Sequence, residues 1–107
     1  MKQSNLDKNS NLLKQAISEI LILKRNELGY TQKYAAEKSG ITEKQYSNIE
    51  HQISLPGSKT LVNISIALDI DLNKIAKLAV KLGYVVTDKE WKFKDIKIKG
   101  EIWYDSS

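Results

Sequence analysis

Apolar residues recur at helical spacing between Leu12 and Leu28, at Leu13, Ile17 and Ile20 or Leu21, with Lys24 and Leu28 completing the row. Ser10 or Asn11 is a candidate cap for this first helix, and Gly29 is a candidate left-handed stop. Thr31 then opens a second helix, Gln32 to Ser39, which Gly40 breaks. Ile41 is apolar, and Thr42 caps a third helix running to about His51. Leu55-Pro56-Gly57 marks a loop. A fourth helix starts near Ser58 with Leu61, Ile64 and Leu68 on one face. Asp71 caps a fifth, whose stripe is Leu72, Ile75, Ala79 and Leu82, and Gly83 closes it.

After Gly83 the period shortens. Tyr84-Val85-Val86-Thr87 is β-branched, and Trp91 to Lys94 and Ile96 to Lys99 alternate apolar and basic residues. The pattern predicts a mainly α fold: five helices with a short C-terminal β-hairpin or meander. Three segments follow: a polar, flexible N-terminal arm over 1–10, a helical domain over 11–82, and a β extension over 83–107.

Composition narrows this picture. A chain of 107 residues, 41% hydrophobic and 28% charged, has the size and balance of one small soluble domain. No apolar run approaches the roughly 20 residues of a membrane helix, so no membrane association is expected. No apolar segment of a secretion signal follows Lys2, and there is no cysteine, which together suggest a cytoplasmic protein. The net charge of +4 is compatible with nucleic acid without requiring it. Arg25 is the only arginine. In a chain that otherwise uses lysine, it suits a position that needs a planar, two-pronged donor.

The stretch from Thr31 to Pro56 carries the most information. Two short helices meet across a tight turn at Gly40, with small Ala36 where they cross and Ile41 and Ile49 able to fill the shared core. The outer face of the third helix then reads Thr42, Glu43, Lys44, Gln45 and Asn48, polar groups long enough to reach base edges in a major groove.

The residues Leu28-Gly29-Tyr30-Thr31-Gln32, Ala36 to Ile41, Tyr46 to Glu50, Pro56 and Thr60-Leu61 together resemble the Cro/CI (XRE) family of helix-turn-helix regulators, over roughly Leu23 to Leu72. The resemblance implies a five-helix, lambda-repressor-like DNA-binding domain. It implies that Gln32 grips a phosphate and braces the recognition helix. Glu43, Lys44 and Gln45 would face bases, Thr42 would lie near the backbone, and Asn48 would touch a base or phosphate. Lys33, beside Gln32, joins this DNA-contacting set. Arg25 and Glu50 match a buried ion pair of related repressors. The chain departs from the family at Ala35 and Tyr46, a small-for-large exchange of facing residues, and at Gln52 and Asp69, where glycine is common.

Plainer readings stand beside these. Gln32 is also a residue that caps its own helix, Glu43 either reads a cytosine amine or turns aside, and Arg25–Glu50 could be an ordinary surface pair. His51 is the lone histidine, without a second His or any Cys, so no metal site and no cofactor are expected. No catalytic constellation or phosphate-cradling glycine loop is present, so the chain is read as a non-enzyme. Tyr84, Val86, Trp91, Phe93 and Trp103 are candidate dimer or partner contacts, and the tail lysines between them a solvated sheet face.

The expected function is a DNA-binding transcriptional regulator, a homodimeric repressor on a pseudo-palindrome of double-stranded DNA. The alternative is an antitoxin that neutralises a cognate toxin protein and represses its own operon. A third reading is an interaction module that has lost DNA binding.

Overall fold

In the computed structural model, residues 5–86 are described. They form five helices: α1 (Asn5–Leu28), α2 (Gln32–Ser39), α3 (Glu43–Glu50), α4 (Ser58–Leu68) and α5 (Leu72–Leu82). The long α1 packs along α5 and also meets α3 and α4, while α2 wedges between α3 and α4. The core comes from all five: Ala16, Ile17 and Leu21 of α1, Ala35 and Ala36 of α2, Tyr46 and Ile49 of α3, Ile64 and Leu68 of α4, and Ile75 and Ala79 of α5. Leu28 and Leu72, expected on the apolar stripes, sit at helix ends and stay more than a third exposed.

Local signals set the helix limits. Thr31, Thr42 and Asp71 each turn a side-chain oxygen onto a first-turn amide, at 3.0, 3.1 and 2.9 Å respectively. The five helices end alike. In each, a residue in the left-handed or adjoining region is followed by an amide that reaches back five residues, as Ile41 does to the Ala36 carbonyl at 3.1 Å and Ile53 to that of Asn48 at 2.9 Å. Glycine occupies the left-handed position at Gly29, Gly40 and Gly83, whereas Gln52 (φ 63°) and Asp69 (φ 55°) occupy it after α3 and α4. The two departures from glycine therefore keep the glycine backbone. Ala35 and Tyr46, the other departures, are both fully buried in the one core cluster.

Two expectations need correction. The first helix begins at Asn5, not at a cap on Ser10 or Asn11, so residues 5–10 are helix and not an arm. A tertiary contact accounts for this: the Asn9 side chain accepts from the Val85 amide at 3.0 Å and donates to the Val85 carbonyl. This amide pair fastens the start of α1 to the segment after α5, and Leu12 lies against Gly83 beside it. The second correction concerns residues 84–86, which are not a strand. Instead, the Tyr84 amide closes the end of α5 on the Ala79 carbonyl at 2.9 Å, and Tyr84 is partly buried against the core. The expected hairpin, with Trp91, Phe93 and Trp103, lies outside the described residues.

Candidate nucleic-acid interface

The unit that positions α3 is built around Glu50, at the buried end of that helix. Its carboxylate accepts from Arg25 Nε at 2.7 Å and Nη2 at 3.1 Å, and from Gln32 Nε2 at 2.8 Å. The remaining prong of Arg25, Nη1, donates to the Tyr30 carbonyl at 2.9 Å, just before α2. The Glu50 backbone carbonyl accepts from the buried Ser18 hydroxyl of α1. One residue thus ties α1, α2 and α3 together.

Burial makes this a strongly committed arrangement. The side chains of Arg25 and Glu50 are 17% and 2% exposed. Burial alone would raise the Glu50 carboxyl, but the hydrogen bonds from Arg25 and Gln32 outweigh it and hold the group below the ordinary carboxylate range. The hydrogen bond to Glu50 likewise raises Arg25 further, against the opposing effect of burial. Arginine is required here because only its planar fork reaches a carboxylate with two donors while a third serves a carbonyl. Beside the pair lies Tyr46, whose hydroxyl is buried without a hydrogen-bond partner among the described residues. Burial, then the neighbouring Glu50 carboxylate, push that hydroxyl far above its usual ionisation range.

The opposite face of α3 is open. Thr42, Glu43, Lys44 and Gln45 are exposed, Asn48 is half-buried, and Lys33 is exposed at the start of α2. Glu43 lies in the first turn, where a negative charge favours the helix dipole. Thr42 and Gln45 form a reciprocal cap: Thr42 Oγ1 accepts from the Gln45 amide at 3.1 Å, and Gln45 Oε1 accepts from the Thr42 amide at 2.9 Å. The Asn48 backbone carbonyl ends the helix by accepting from Ile53, and its side chain makes no hydrogen bond among the described residues. Next to it, His51 turns Nδ1 onto the Ser47 carbonyl at 2.8 Å.

Three of these features were not expected from the chain. Ser18 gave no signal, because a buried serine in a helix pattern looks like any small residue. The convergence of Gln32 on Glu50 is tertiary. The reciprocal cap did have a signal, a Thr followed three positions later by Gln, ahead of an apolar residue. Among the described residues, no cluster of His, Asp and Glu suits a metal ion, and no helix is long and apolar enough to cross a membrane.

Two short helices joined by a tight turn, the second with one face locked into the core and the other bare, define a helix-turn-helix DNA-binding domain. A helix-turn-helix family model matches residues 21–75, about half of the chain and the whole span from the middle of α1 to the start of α5. The chain belongs to that family, the XRE-type DNA-binding transcription regulators. Neither a curated protein nor a solved structure matches it significantly.

Proposed function

We infer that this regulator is a sequence-specific repressor that acts as a cytoplasmic homodimer on a pseudo-palindromic operator. The observation that carries the reading is the division of α3. Its inner face is held by a two-pronged ion pair and two further hydrogen bonds spread over α1 and α2, while its outer face offers Glu43, Lys44, Gln45 and Asn48 to solvent. Lys44 and Asn48 meet base edges or phosphates, Glu43 meets an exocyclic amine, and Thr42 and Lys33 lie along the backbone. Gln32 keeps one carboxamide hydrogen and its first-turn amide for a phosphate while its other hydrogen serves Glu50.

Two copies would set their α3 helices about 34 Å apart in successive major grooves. Val80 on α5 and Val86 after it, 61% and 68% exposed, leave apolar surface that a self-contact would cover. An antitoxin would hold its toxin through an N-terminal arm or the aromatic tail; residues 5–10 are helix, with Asn9 fastened to Val85, which favours the repressor reading over an arm-borne toxin contact.

The test is a footprint on the DNA upstream of the protein's own gene across a salt series. A protected patch of two half-sites, weakening steeply with salt, is the expected result. Uniform, salt-labile binding alone would overturn specific repression at that promoter.

A further inference from the structure

The hydrogen-bonding polarity of α3 limits which bases its first turn can read. This inference rests on α3 being the recognition helix. A glutamine reads adenine by offering both ends of its carboxamide at once, accepting from the N6 amine and donating to N7. In this protein the Gln45 oxygen is turned back onto the Thr42 amide at 2.9 Å and closes the helix's own first turn. Its Nε2 makes no hydrogen bond among the described residues and the side chain is exposed, so the N–H end of the carboxamide is wholly open to a ligand while the oxygen is tied to the start of the helix. Lys44, next to it, is a donor by chemistry, and Glu43 is an acceptor.

We propose that Gln45 is a one-ended donor that selects guanine, whose N7 and O6 present two adjacent acceptors, and that it does not read adenine. At an adenine the same NH2 would meet N7 but also the N6 amine, a donor facing a donor. A thymine offers one acceptor beside a methyl group, a poorer fit for an NH2 with two hydrogens to place. The cap that orders the start of the helix thereby also sets the base preference of the residue that makes it.

The experiment is selection from random double-stranded DNA by the full-length protein, its Gln45→Glu variant and its Gln45→Ala variant, with thermal unfolding of each. Glu retains an oxygen for the Thr42 amide but has no donor; Ala lacks both. The wild type is expected to select guanine at one position of each half-site. Replacing that guanine by 7-deazaguanine should weaken binding about five- to tenfold, the lower part of the range for a specific base contact. Gln45→Glu should lose the preference at that position alone, with its melting temperature retained. Gln45→Ala should lose both the preference and some stability. Retention of the guanine preference by Gln45→Glu would overturn the proposal, as would a wild-type adenine that Gln45→Ala erases. A wild type that selects no site at all would overturn the recognition-helix reading itself, and this inference with it.

Discussion

The two faces of α3 differ in how much of their chemistry is already used. On the inner face, all three oxygens of Glu50 are engaged, by Arg25, Gln32 and Ser18. On the outer face, Lys44 and Asn48 have no side-chain partner among the described residues, and Gln45 uses only its oxygen. The inner face is committed to holding the helix in place, and the outer face keeps its groups available for a ligand. A rigid reader needs both, because an exposed side chain has a defined position only if the helix beneath it cannot roll.

The largest effect should come from removing one partner of the inner pair. Glu50→Ala leaves the Arg25 guanidinium buried without its counter-ion and should cost about 3–5 kcal/mol in urea unfolding. The same pair predicts an acid limb to stability. The native Glu50 pKa lies below its unfolded value, so its contribution is complete above the ordinary carboxylate range. That contribution fades as the pH falls through the native pKa. Glu50→Gln should flatten this limb in a pH series of melting temperatures, and an unchanged acid limb would show that other carboxyls govern it.

The outer face should behave in the opposite way. Lys44→Ala is expected to leave stability within about 0.5 kcal/mol, as for an ordinary surface change. It should still cost specific DNA binding at least tenfold, within the range of one base contact. A loss of stability of several kcal/mol would mean that the two faces are not separable. Thr42→Ala lies between them, removing the cap, with an expected cost of about 1 kcal/mol.

The smallest effects concern helix ends. Gln52 holds a left-handed backbone that costs a side-chain-bearing residue about 1–2 kcal/mol, part of which glycine would return as entropy in the unfolded chain. Gln52→Gly should therefore stabilise by roughly 0.5–1 kcal/mol. Asp69→Gly should gain only a few tenths, because aspartate tolerates this region better. Equal gains at both sites would mean that side-chain identity at the left-handed position has no influence here.

The limits of α2 to α5 were legible because each depends on groups within five residues: a Thr or Asp cap at the start of α2, α3 and α5, the Pro56-Gly57 break before α4, and a left-handed stop after each helix. The start of α1 was not, because Asn9 is held by Val85, 76 positions away. The likeness to repressors pointed to Arg25 and Glu50 as a pair, but neither residue's surroundings could be read from spacing. That Gln32 shares the same carboxylate, and that Ser18 holds its carbonyl, depends on how three helices meet. Gln45 illustrates a different gap. Its place on the exposed face was plain, yet its oxygen is committed locally, and this changes what the residue offers to a ligand.

The Asn9–Val85 pair also bears on the order of folding. Contacts within and between neighbouring helices close short loops and form early, whereas this one must bring together positions 76 apart. It is expected to form late, with the docking of α1 on α5, and to be among the first contacts that thermal fluctuation undoes. Amide exchange at Val85 should accordingly be faster than at core amides such as that of Ile49, so the chain opens at this seam while the half that carries α2 and α3 stays assembled.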